Sequence, residues 1–107
     1  MPIYNKLVRD NILEIIKAEG LSYNARMLTP DELLMEIKTK MIEEAHEFKE
    51  AVEKKEAVEE LADILELIHA SLGAYGVKFE ELEAIRKEKK ENRGGFEKAI
   101  YLIDVQD

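Results

Sequence analysis

Apolar residues recur along most of this chain with the period of a helix. In "DNILEIIKAEG", Ile12, Ile15 and Ile16 share one side of a short helix, and Gly20 supplies the stop after it. "LSYNARML" carries few helix signals and reads as extended or irregular. The sharpest boundary is Thr29-Pro30-Asp31-Glu32, which has a capping residue, a proline at the first helical position and a glutamate three residues after the cap. The pattern then predicts one helix from about Pro30 to about Lys54 and a second from near Glu56 to the glycines Gly73 and Gly76. A third runs from about Phe79 to Arg93, stopped by Gly94-Gly95. The tail "AIYLIDV" alternates as a strand does, with "PIYNKLV" and "YNARML" as candidate partners in a minor sheet.

A connection as short as "KKEA" makes the two long helices antiparallel neighbours. The expected fold is therefore all-α, an antiparallel bundle of three to four helices in one domain over residues 1–107. Helices of this number and size leave apolar surface over, so a homodimer or a dimer of dimers is expected to complete the bundle.

The helical pattern has misplaced charges. On a wheel of about 100° per residue, Leu33, Leu34, Ile37, Met41, Ala45, Phe48, Ala51 and Val52 share one broad apolar arc. Glu44 falls inside that arc, roughly 20° from Ile37, and Glu47 lies at its edge; Glu36, Glu43, Glu50 and Glu53 point elsewhere. On the next helix Leu61, Ile64, Leu65, Leu67, Ile68 and Leu72 form the apolar arc, with Glu60 inside it and Asp63 at its edge. Each helix thus offers an inward carboxylate and a neighbour three residues on. With the turn at "KKEA", Glu47 and Asp63 stand about eight residues from it, and the two pairs differ in height by roughly 4.5 Å. Carboxylates converging on a partly dry surface repel one another unless they are protonated or bridged by cations. Oxygen-only ligands suit Mg²⁺ or Mn²⁺.

Glu43-x-x-His46 and Glu66-x-x-His69 both match the E-x-x-H of di-iron bundles. The wheel places them mostly on the polar side, away from the inward carboxylates, so a di-iron site is rejected. The third long helix carries Lys89 between Leu82 and Ile85 on its apolar side, flanked by Arg86 and Arg93. Lys89 and Arg93 are one turn apart and can address one anion together, although a lysine stem can equally snorkel over the edge of a core. Lys6 and Arg9 in "YNKLVRD" form a second basic pair.

Composition narrows the choice. The chain is 46% hydrophobic and 37% charged, which is too apolar for disorder, and it contains no cysteine, which excludes disulfides and thiolate zinc sites. A net charge of −8 argues against a duplex nucleic-acid partner. No apolar run spans a membrane and the N-terminus lacks a signal-peptide core, so the expected location is cytoplasmic. Cations beside a divalent-metal site in an acidic protein point to a phosphate-bearing ligand.

Taken in order, "EEAHE" at 43–47, "ELAD" at 60–63 and Lys89-x-x-x-Arg93-Gly-Gly-Phe resemble the MazG-like all-α nucleoside triphosphate pyrophosphatases, whose hallmark is E-x-x-E…E-x-x-D. The opening "YNKLVRDNI" and closing "RGGFEKAIYL" are similar to the small single-domain phosphoribosyl-ATP pyrophosphohydrolase-like branch. The resemblance implies cleavage between the α- and β-phosphates of a nucleoside triphosphate, giving a monophosphate and pyrophosphate. It implies Glu44, Glu47, Glu60 and Asp63 as Mg²⁺ ligands. It also implies Lys89 and Arg93, with Arg86, Lys6 and Arg9, as phosphate or substrate contacts. Glu47, at the edge of the arc, is the candidate proton acceptor; Glu43 is a candidate for a supporting role outside the metal's ligands, or else an ordinary solvated residue. The expected role is removal of non-canonical nucleotides. The alternatives are phosphoribosyl-ATP hydrolysis in histidine synthesis and a non-catalytic helical-dimer interaction module.

Overall fold

A computed structural model describes residues 2–106. Among them are four helices and no strand: α1 (Ile12–Ala18), α2 (Pro30–Glu50), α3 (Lys54–Tyr75) and α4 (Phe79–Arg93). The chain divides into two compact units, one ending at Gly76 and the other beginning at Val77. No helix among the described residues is long and apolar enough to cross a membrane.

In the first unit α2 and α3 pack side by side as an antiparallel hairpin. The start of α2 is the reciprocal cap that its sequence announces. The Glu32 N–H donates to Thr29 Oγ1 at 3.3 Å, and the Thr29 N–H donates to Glu32 Oε1 at 3.0 Å. Arg26 grips the same carboxylate from upstream at 2.8 and 3.1 Å. Those bonds, Arg26 first and the Thr29 backbone second, hold the Glu32 pKa down to about 2.

The turn falls earlier than the sequence pattern suggests. α2 ends at Glu50, and only Ala51, Val52 and Glu53 separate it from α3, with Ala51 and Glu53 both extended. "KKEA" forms the first turn of α3, because lysine, glutamate and alanine all favour helix once Glu53 has provided a non-helical entry. α3 stops at Gly76, whose φ of 70° lies in the left-handed region that a residue with a Cβ adopts only at a cost.

The hairpin core centres on Ile37 of α2 (1% exposed) and Leu67 of α3 (8% exposed). Leu33, Leu34 and Met41 on one helix, Ala51 after its end, and Ala57, Ile64, Ile68 and Leu72 on the other helix are half-buried. The predicted arcs are wider than this seam: Ala45, Phe48, Val52, Leu61 and Leu65 are exposed. Two helices alone can cover only one stripe of each other, whereas α3 is apolar around more than half its circumference. In α1 the half-buried residues are Ile12, Leu13 and Ile16, while Ile15 faces out.

The second unit holds α4, ended at Gly94 with φ 84°, and the tail after it. Leu82 is half-buried; Ile85 and Phe96 are exposed. The expected strand "AIYLIDV" is not formed, nor are strands in "PIYNKLV" or "YNARML". Ala99 has a positive φ of 53°, which breaks the extended run at its first residue, and Ile100, Tyr101, Leu102 and Ile103 are exposed. Alternation becomes a strand only when a neighbour completes its hydrogen-bond ladder, and here the pattern is unpaired.

Candidate metal centre

Glu44 lies seven residues after Ile37, and Glu60 lies seven residues before Leu67. Because the helices are antiparallel, each glutamate sits two turns nearer the linker than the core residue of its own helix. The two carboxylates therefore meet at one height on the inner seam. Glu47, one turn further along α2, reaches the same point from the rim. Carboxylate oxygens of Glu44, Glu47 and Glu60 all lie within 4.8 Å of one another.

Burial makes this cluster costly. Glu44 is 9% exposed, and Glu60 is half-buried. Glu44 Oε2 and Glu60 Oε2 are both buried with no hydrogen-bond partner. Burial first, then the facing carboxyls of Glu60 and Glu47, push the Glu44 pKa up to about 7. The hydrogen bond with Glu44 favours the charged form of Glu60, but burial together with Glu47 and Asp63 outweighs it, and its pKa is also raised. Both shifts run in the direction that disfavours charge on facing, buried carboxylates. With a cation, both orphaned oxygens acquire the partner they lack, which is the chemistry this all-oxygen donor set fits.

Asp63, one turn beyond Glu60 on α3, is the fourth carboxylate singled out in the sequence. It is not among the three that converge. Its Oδ1 accepts a hydrogen bond from Arg9 Nη2 at 2.7 Å, in a pair 54 residues apart along the chain. The sequence put Glu47 and Asp63 level with each other; the earlier turn instead puts Glu44 opposite Glu60, each eight residues from Val52.

The remaining basic residues have local partners or open surroundings. Lys6 Nζ stands 5.5 Å from the centroid of the Tyr4 ring. Within the second unit Arg86 is paired with Glu83 one turn back, Lys90 lies 4.0 Å from Glu97, and Lys89 and Arg93 are exposed. His46 and His69 are exposed, and the three groups that converge among the described residues are glutamates. Two contacts had no signal in the sequence. Arg9–Asp63 joins residues too distant for any spacing rule, and Arg26–Glu32 crosses a stretch without periodicity.

No curated protein and no solved structure matches the chain. A family model does, that of phosphoribosyl-ATP pyrophosphohydrolase, over residues 6–90. The matched span includes Lys6, Arg9, the three glutamates, Asp63, Arg86 and Lys89, and stops before Arg93 and the tail. With most of its length inside that model and an all-α hairpin that gathers carboxylates on its inner seam, the chain belongs to the phosphoribosyl-ATP pyrophosphohydrolase family, divalent-metal-dependent hydrolases that act on the acid anhydrides of nucleotide-like substrates.

Proposed function

We propose that this protein is a Mg²⁺-dependent nucleoside triphosphate pyrophosphohydrolase, active on non-canonical nucleotides, that releases a nucleoside monophosphate and pyrophosphate. The observation that carries the reading is the convergence of Glu44, Glu47 and Glu60 with two buried, unpartnered oxygens. Nothing else among the described residues neutralises those two oxygens, and a hairpin that needed only stability would place apolar residues there.

Glu44 and Glu60 would hold the cation from the seam and Glu47 from the rim, with Asp63, one turn beyond Glu60, as the fourth candidate ligand. Mn²⁺ fits the same oxygens. A divalent ion there neutralises phosphate oxygens and makes a bound water more acidic. Glu47, the exposed member, accepts the proton of the water that attacks the α-phosphorus. The bond between the α-phosphorus and the bridging oxygen breaks, and pyrophosphate leaves with that oxygen. Lys6 and Arg9, which lie in the same unit as the cluster, supply positive charge for the phosphate chain. The exposed apolar side of α3 (Val58, Leu61, Leu65), with Phe48 of α2, supports a homodimer in which a second copy covers it.

The matched family favours a second reading, phosphoribosyl-ATP as the substrate. One experiment separates the two. The purified protein is incubated with Mg²⁺ and canonical nucleotides, modified nucleotides or phosphoribosyl-ATP, and pyrophosphate and orthophosphate are detected separately. Pyrophosphate release from modified triphosphates, abolished by Glu60→Gln, supports the first reading; release from phosphoribosyl-ATP alone supports the second. Orthophosphate as the first product contradicts both.

A further inference from the structure

The apolar run in the tail lies open. Ile100, Tyr101, Leu102, Ile103 and Val105 are each at least 72% exposed, and no strand among the described residues pairs with them. An extended chain would be apolar on both faces, with Ile100 and Leu102 on one and Tyr101 and Ile103 on the other. From Ala99 to Ile103 there is no charge, proline or glycine, the devices that keep a free strand from pairing with another chain. The charges stand at the ends, Lys98 three residues before Tyr101 and Asp104 three residues after it, both exposed.

That spacing is self-complementary. Two copies of a strand related by a twofold axis pair antiparallel, and the register centres on a residue because opposed side chains share a face. Centred on Tyr101, each Lys98 faces Asp104 of the second copy and each Ile100 faces a Leu102. Centred on Leu102 or Ile103, Asp104 would face Ile100 or Leu102; centred on Ile100, Lys98 would face Leu102. Each of those registers sets a charge against an apolar side chain. Ala99 enters the pairing from a left-handed φ of 53°, held by one turn bond from its N–H to the Phe96 carbonyl at 3.1 Å. Such a φ is costly for a residue with a Cβ, so opening that turn relieves strain.

We propose that residues 98–104 form an assembly strand, which pairs antiparallel with the same segment of a second copy in the register centred on Tyr101. This surface is separate from the exposed face of α3, and the proposal does not depend on the hydrolase reading. A two-stranded ribbon is marginal by itself, so the pairing should depend on protein concentration.

The full chain contains no cysteine, so single cysteines report the register without interference. Tyr101→Cys and Ile103→Cys are oxidised in parallel over a range of protein concentrations. In the proposed register two copies of position 101 are opposed, with Cα atoms about 4.5–5.5 Å apart, within the span of a disulfide. Two copies of position 103 stand four residues apart along the ladder, about 13 Å. Cross-linked dimer should therefore form about tenfold faster at 101 than at 103. Adding Lys98→Asp to Tyr101→Cys should slow it about fivefold or more, the scale of two opposed-charge pairs made repulsive. Adding Asp104→Lys as well should restore the rate within about twofold. All four side chains are exposed, so the fold should persist, as circular dichroism would check. Equal rates at 101 and 103, or a rate indifferent to Lys98→Asp, would overturn the proposal. Tail amides protected from hydrogen exchange at every dilution would also overturn it, because the strand's partner would then lie within its own chain. So would tail-dependent sedimentation with phospholipid vesicles by a chain that shows no preference for position 101.

Discussion

Replacing Glu44 by glutamine should stabilise this protein without metal and abolish its response to metal. The reasoning starts from the folded-state pKa of about 7, against an ordinary value of 4.5. Between those values the folded chain keeps a proton that the unfolded chain has lost, so stability falls as pH rises through that window and levels off above it. A difference of 2.5 units corresponds to at most about 3.4 kcal/mol. Water reaches the cluster past the exposed Glu47, so the working figure is about 1–2 kcal/mol. Glutamine removes the charge and keeps a donor for Glu60, as the protonated glutamate does. At pH 8 in chelator, Glu44→Gln should therefore melt about 5–10 °C above wild type. At pH 4 the two should melt together. Comparing variant with wild type at each pH cancels the self-repulsion of the other carboxylates. Adding Mg²⁺ to a hundred times its dissociation constant should raise wild type by about 2.7 kcal/mol and leave the variant unmoved, reversing their order. A variant less stable than wild type at pH 8 in chelator, or one that responds equally to Mg²⁺, would refute the reasoning.

Ile37→Ala should cost about 2–4 kcal/mol in denaturant unfolding, because the side chain is 1% exposed and its truncation loses that burial and leaves a cavity at the hairpin seam. Thr29→Ala removes the acceptor of the Glu32 N–H and should cost about 1 kcal/mol by the same assay. The Glu32 carboxylate, held at a pKa of about 2 by Arg26 and the cap, contributes stability that is present above pH 4.5 and lost as pH falls towards 2. Arg26→Gln should shrink that acid-side loss in a pH series of melts. In the proposed homodimer, Leu65→Glu should shift sedimentation towards monomer without lowering the helical circular dichroism signal, since Leu65 is exposed on the hairpin.

Much of this arrangement can be read from residue order because its causes are local. The start of α2 follows from four consecutive residues, and the end of α3 from a glycine in the left-handed region. Glu44 and Glu60 stand out because helical period alone assigns them to an apolar face. What escapes the period is whatever depends on position along the axis. Ascribing the turn to "KKEA" moved α3 by a few residues and paired the wrong carboxylates in height, since helix propensity pulls those residues into α3. Leu61 and Leu65 read as core because the pattern counts apolar faces, not the helices available to cover them. The tail read as a strand because alternation is visible in one segment, whereas a ladder requires two. Arg9–Asp63 is long-range and has no periodic signature at all.

Electron paramagnetic resonance of Mn²⁺ added to the protein, followed in the same samples by pyrophosphate release from the preferred nucleotide, tests the central claim most directly. Wild type should bind the ion, lose activity in parallel with it under chelation, and regain both on adding Mg²⁺ or Mn²⁺; Glu60→Gln should do neither while remaining folded. Pyrophosphate release that survives chelation, or Mn²⁺ binding that survives Glu60→Gln unchanged, would contradict the assignment of the carboxylate cluster as the metal centre.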